Sequence, residues 1–359
     1  GREMPALSLY VDTDESGEVI VGQYSQAERV RVVANLRHDL LDGVYTEETL
    51  NQAAGSGAAG AGAAGSGAAV ASEGASDQAA TGDVDPDAVA AVAADALPRF
   101  AEELRVLWKL TLALSAARER MRGKPEPRFR ADFSFYLDPA PEGEEPLVRI
   151  VPRRRDSVLD RIVAEMAILA NSEWGRLLGD HETPGIYRSQ QNGRVRVTSQ
   201  PLPHMGLGVA QYMWATSPLR RYVDLVNQRQ VLAVLAGERP PYAHNDAELF
   251  SLMSAFDAKY AAYGDFQQRM ERYWCLRWVA QQKLRRAEAV VVREDLVRLV
   301  DAPLYFRLAG LPLFAPGRRI VVDILGTDEL DLSVEARFVE VAAAGLLEVD
   351  EQEAEGPGQ

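Results

Sequence analysis

The chain has 359 residues, 47% of them apolar and 26% charged, and carries a formal net charge of -14. Such proportions suit a soluble protein able to bury one large core or two, and no apolar run approaches the ~20 residues that span a bilayer. The single cysteine, Cys275, excludes an intrachain disulfide framework and a multi-cysteine zinc site, and His38, His181, His204 and His244 are too scattered for a metal motif, so a cytoplasmic protein without structural metal is expected.

The chain enters a strand almost at once, at residues 6–11, and a turn at 12–17 returns it through Val19, Ile20 and Val21 as a hairpin. A fold that opens in mid-sheet reads as a fragment or a processed product. Residues 53–72 are Ala, Gly or Ser except Val70, so an insert covering 53–82 is expected to behave as flexible coil. Helical periodicity resumes at Pro86 and is strongest over 104–121, and residues 132–137 and 147–151 read as strands. A long amphipathic helix is predicted over 156–178, with Leu159, Ile162, Met166, Leu169 and Leu177 on its apolar side and Gly179 at the C′ position. Helices over 218–236, closed by Gly237, and from 248 to about 286 follow. Five short apolar runs between 290 and 341 then suit a small barrel such as an OB-fold. The fold class is α+β, with a domain boundary near residue 286, a barrel over 287–345 and an acidic tail over 346–359.

The net charge conceals local bases. Residues 118–130 hold six bases against two acids, 149–161 five against two, and 220–229 three against one. Local patches rather than net charge bind phosphates, so a nucleic-acid track is compatible with an acidic protein, although solvated helix faces would look the same.

The most informative stretch is Tyr212-Met213-Trp214-Ala215-Thr216-Ser217-Pro218-Leu219-Arg220-Arg221-Tyr222-Val223-Asp224. Thr216 or Ser217 can cap a helix that Pro218 begins, which places Arg220 and Arg221 in the first turn. There the helix dipole disfavours a cation by about 0.3–1 kcal/mol, and Arg220 can recover some of this from Asp224 at i+4. A bound phosphate would reverse the sign, because amides, dipole and guanidinium groups would then converge on one anion.

This run, continued by Leu225-Val226-Asn227-Gln228-Arg229, resembles the T-S-P-[IL]-R-[RK]-Y-x-D signature of the RNase II (RNB) family of exoribonucleases. His204-Met205-Gly206-Leu207-Gly208 resembles that family's H-[FY]-G-L segment, Glu165 to Asn171 its preceding helix, and Met270-Glu271-Arg272 its following one. The resemblance implies an RNB-type catalytic domain over 1–286 and an RNA-binding OB-fold after it. It implies a processive, hydrolytic 3′-to-5′ exoribonuclease that degrades single-stranded RNA to nucleoside 5′-monophosphates. Carried over by position, Arg220 is the catalytic arginine that grips the scissile phosphate. Glu165 would accept a hydrogen bond from a ribose 2′-hydroxyl, unless it merely pairs with Arg161 on a solvated face. Asn171, His204, Tyr212, Ser217, Arg221, Tyr222, Asp224 and Glu271 would contact RNA. The family's magnesium is held by an aspartate cluster, D-x-x-x-x-x-D-x-D-D, which this chain lacks, so Mg2+ would need ligands from an upstream segment or a second chain. Asp83, Asp85 and Asp87 read as a solvated turn rather than a substitute, and a family tyrosine is replaced around Arg37-His38. The alternative is a non-catalytic RNA-binding protein of the same fold; a helical scaffold without RNA function is the third reading.

Overall fold

The structure is a computed structural model that describes residues 3–34, 41–42, 44–52, 86–125, 132–153, 157–191, 193–343 and 347. The Ala/Gly/Ser insert, Asp83, Asp85, Arg37 and His38, and all of the acidic tail but Leu347, lie outside the described residues. The protein is α+β and divides into two compact units, residues 1–125 with 157–253, and residues 126–156 with 254–359.

In the first unit, strands β1 (Glu3–Thr13) and β2 (Ile20–Arg31) pair antiparallel as the predicted hairpin, and Tyr10 stands opposite Tyr24. Helices α1 (Glu47–Gln52), α2 (Pro86–Arg122), α3 (Val158–Asp180) and α4 (Tyr222–Ala236) follow, with hairpin β5 (Tyr187–Gln191) and β6 (Arg194–Thr198) between α3 and α4. Two apolar clusters hold the unit. One gathers Tyr45, Leu50, Leu104, Trp108, Leu159 and Ile162; the other gathers Trp174, Leu178, Tyr187, Met213 and Val231 under Leu7 and Leu9 of β1.

The start of α3 is fixed by Ser157, whose hydroxyl accepts from the Asp160 amide at 3.0 Å, with the acid itself placed at the positive end of the dipole. Its end differs from the expectation. Gly179 lies inside the helix, which continues to Asp180 and is capped at His181. Gly237, in contrast, closes α4 in the left-handed conformation at φ 66°, as its position past the last apolar residue predicts.

In the second unit, hairpin β3 (Asp132–Asp138) and β4 (Leu147–Arg153) accompanies the C-terminal part of α5 (Ala247–Gln281). An antiparallel sheet of order β11-β10-β7-β8-β9 completes it, built from β7 (Arg286–Arg293), β8 (Leu296–Leu299), β9 (Tyr305–Arg307), β10 (Arg319–Asp328) and β11 (Ser333–Val341). These are the five strands the sequence predicts. They form an OB-like half-barrel: among the described residues no ladder joins β9 to β11. Val291, Val297, Leu299, Phe306, Ile320 and Val322 fill its inner face, and Val148, Cys275 and Leu276 pack on them. Burial pushes the Cys275 thiol up to about 12, so it is an apolar filler rather than a nucleophile.

Candidate nucleic-acid interface

Between β6 and α4 the chain runs through residues 199–221 with only turns and isolated bridges. A segment without ladders needs other partners for its backbone polar groups, and side-chain amides supply them. Asn171, buried on α3, accepts from the Ala215 amide at 2.9 Å and donates to the Tyr212 hydroxyl at 3.3 Å and the Thr216 hydroxyl at 3.4 Å. Asn227, buried on α4, accepts from the Ile186 amide at 2.7 Å and donates to the carbonyls of Ile186 at 3.0 Å and Trp214 at 2.8 Å. Gln228 donates to the Ala215 carbonyl at 2.6 Å. Asn171 and Tyr212 therefore stand together, in a role that shapes the segment.

The arginine turn corrects the sequence reading in two respects. Neither Thr216 nor Ser217 caps the helix: residues 218–220 form a turn, the N-cap is Arg221, and α4 begins at Tyr222. The signal was misleading because the capping group sits inside the helix. Asp224, fully buried, reaches back so that its Oδ1 accepts from the Ser217 amide at 2.8 Å. The same oxygen accepts from Arg221 Nη2 at 2.8 Å, so the partner of Asp224 is Arg221 at i−3 and not Arg220. Arg221 also lies over the Trp214 ring, 4.2 Å from its centroid, and Arg188 of β5 lies 4.0 Å from the same centroid. Two guanidinium groups thus share one indole ring through cation–π contacts.

Arg220 is left exposed, and the one side-chain hydrogen bond it makes to a described residue runs 3.3 Å from Nη2 to the Ser217 hydroxyl. Ser217 is half-buried beneath it, and Tyr222 is exposed next to it. The turn thus presents one guanidinium outward on a backbone fixed by Asp224, Trp214 and Asn227.

His204 closes the loop of residues 204–209. Its Nδ1 accepts from the Leu207 amide at 3.2 Å, and its ring meets Tyr212 edge-on at 5.7 Å between centroids. Burial, reinforced by the Arg188 charge, lowers its pKa to about 4, so the ring is neutral near pH 7 and suited to the acceptor role it plays. Gly208, at φ 68°, is confined by geometry: a Cβ there would sit 2.2 Å from the Arg118 carbonyl oxygen.

Glu165 is not on a solvated face, and Arg161 is not its partner. Arg161 lies over the Trp108 ring and reaches Glu47 at 3.7 Å. The Glu165 carboxylate is buried and takes both oxygens to Arg118 of α2, through Nε at 3.0 Å and a second bond from Nη2, while Arg118 Nη1 donates to the Leu207 carbonyl at 2.7 Å. That engagement speaks against Glu165 as a free acceptor for a ribose. Glu271 belongs to the second unit, where it accepts from Gln267 at 2.9 Å along its own helix. Sequence reasoning did not single out Arg118, Arg188 or Trp214, nor the amides of Asn227 and Gln228; polar amides amid the apolar positions of α4 were the available signal.

Magnesium finds no fit here. No three His, Cys, Asp or Glu side chains gather as metal ligands among the described residues, and the Asp224 Oδ1 is already engaged twice. Nor is any helix among them long and apolar enough to cross a membrane.

Residues 193–237 match the RNB domain, a span that contains the loop, the arginine turn and α4. Over these residues the chain is similar to the RNB family. An uncharacterized ribonuclease of Synechocystis sp. is 32% identical to the chain over 151 residues, covering 34% of it and 22% of the relative. Ribonuclease II, chloroplastic/mitochondrial, of Arabidopsis thaliana is 24% identical over 181 residues, covering 43% and 22%. Among solved structures, Mycoplasma genitalium RNase R in complex with ribose methylated single-stranded RNA superposes with TM-score 0.64 at 10% identity. That match covers 94% of the chain and 58% of the RNase R chain. The chain spans about a fifth of the length of these two sequence relatives.

Proposed function

We propose that the chain is the RNA-gripping part of a 3′-to-5′ exoribonuclease that degrades single-stranded RNA hydrolytically and processively to nucleoside 5′-monophosphates in the cytoplasm. The observation that carries the reading is Arg220: exposed, without a carboxylate partner among the described residues, and mounted on a turn that buried groups hold still. A guanidinium so placed can take a phosphate through two parallel bonds and stabilise charge as it develops on the phosphoryl oxygens. Arg221 and Asp224 hold the turn, Asn171 and Tyr212 shape the wall next to it, and Ser217 orients the Arg220 fork. Magnesium enters only through the family likeness, and no step of this reading runs through it. The second reading is RNA binding without cleavage on the same exposed Arg220 turn.

The test uses the full-length protein and single-turnover degradation of a short RNA. Arg220→Ala should slow cleavage by about 10²–10³ while the melting temperature holds and RNA affinity falls slightly. Arg220→Lys should recover little, because a point charge cannot reproduce the fork. Arg221→Ala should instead lower the melting temperature, since it strips Asp224 and Trp214 of a partner. Near-normal turnover in Arg220→Ala would remove the catalytic assignment, and RNA binding with no cleavage in the wild type would favour the second reading.

A further inference from the structure

From Thr183 to Val223 the chain has 41 residues without one Asp or Glu, and it carries Arg188, Arg194, Arg196, Arg220 and Arg221. With 53 acids in 359 residues, about six would be expected in such a length. The stretch therefore bears a charge of about +5 inside a chain of -14, and it begins with the β5–β6 hairpin and ends at the arginine turn.

The hairpin is built to present charge. Its register sets Arg196 opposite the buried Ser189 and Arg194 opposite the exposed Gln191, so both arginines share one side of the ribbon and neither faces an acid across it. Both are exposed, and neither forms an ion pair with a described residue. Many other exposed or half-exposed arginines are neutralised: Arg29 by Glu3, Arg176 by Glu173 and Asp180, Arg337 by Asp323. Two strand residues apart, the guanidinium stems are separated by about 7 Å, which suits consecutive phosphates of an extended strand. The root of the hairpin is fixed into the interface. Tyr187 is buried in the apolar cluster, Arg188 lies on Trp214, and the Gln190 backbone bonds to Pro203 and Met205.

We propose that the exposed Arg194–Arg196 side of the β5–β6 hairpin is a second phosphate-contact site for single-stranded RNA, upstream in the chain from the Arg220 turn and joined to it through the Trp214 ring that Arg188 and Arg221 share. The proposal rests on the RNA reading of the preceding subsection. A regularly spaced polyanion explains two exposed, unneutralised cations at strand spacing beside the exposed Gln191; contacts of this kind position a strand without reading its bases.

The experiment is equilibrium binding of a labelled single-stranded RNA to the full-length protein in the presence of a chelator, over a series of salt concentrations. Arg194→Gln with Arg196→Gln alters two exposed side chains, and the melting temperature should hold. Two lost phosphate contacts should make the slope of log affinity against log salt shallower by about 1.4, with affinity at low salt falling on the order of tenfold. Arg29→Gln with Arg176→Gln, which removes the same charge from ion-paired positions, should leave the slope as in the wild type. If the wild type binds RNA and the hairpin variant has the same slope, the hairpin is not a contact and the RNA reading stands. If the control lowers the slope equally, the effect is one of net charge and the site is refuted. Absence of RNA binding in the wild type overturns both readings, and loss of binding to an acidic peptide with RNA binding unchanged would make the hairpin a protein-docking surface instead.

Discussion

The irregular segment of residues 199–221 and the five-stranded sheet of the second unit solve the same problem by opposite means. In the sheet, backbone groups satisfy one another along four ladders, and Ala289, Val290, Val291, Leu299 and Ile320 only need to be apolar and of suitable size. In the segment, Asn171, Asn227 and Gln228 bond backbone groups individually, and each must have the right length, donor and acceptor at once. The sheet thus spreads its stability over many replaceable contacts, while the interface depends on a few that cannot be exchanged.

The contrast can be broken by substitution. The largest effect is expected at Arg118→Ala, which leaves the buried Glu165 carboxylate without its cation and should cost about 3–5 kcal/mol in urea unfolding. Pairing it with Glu165→Gln should restore part of the loss. Asn227→Ala should cost about 3 kcal/mol, because it orphans the Ile186 amide and the Trp214 carbonyl in the interior; a loss below about 1 kcal/mol would mean that water replaces the amide and the contrast is overdrawn. His204 gives a pH test. Its folded pKa of about 4 lies below the ordinary value of 6.5, so the unfolded chain binds the extra proton between these values. Its stabilising contribution is complete above pH 6.5 and declines as the pH falls toward 4, by about 2 kcal/mol at pH 5. His204→Gln should flatten that part of the stability profile. The smallest effect belongs to the sheet: Ile320→Val should cost about 0.5–1.5 kcal/mol by thermal melting and leave RNA binding untouched.

Elements with local causes were legible in the sequence. The hairpin around the turn at 12–17, the five C-terminal strands and the glycine end of α4 each follow from alternation, propensity or a left-handed residue within a few positions. What failed had distant causes. Spacing along a helix offers Glu165 only neighbours such as Arg161, whereas its partner Arg118 lies 47 residues earlier on another helix. Thr216, Ser217 and Pro218 read as a cap and first turn, but the buried Asp224 takes the Ser217 amide from seven positions ahead and delays the helix to Tyr222. The arginine pair was visible as a motif; that Arg221 lies on Trp214 and Asp224 could not be read from order alone. The acid-free stretch from 183 to 223 needed no structure to be seen, only a count of acids rather than bases.

The amides of α4 also order events in time. Asn227, Gln228 and Gln230 bind backbone groups of Pro184, Ile186, Trp214, Ala215 and Tyr242, between 12 and 46 residues away along the chain. The bonds to Ile186 and Pro184, 41 and 46 residues away, form only once long loops have closed, so they are expected to follow the local helices and hairpins. A segment held by such bonds is expected to open before the apolar clusters do. A chain halted at that stage would keep its helices and its sheet, and would lack the fixed turn that carries Arg220.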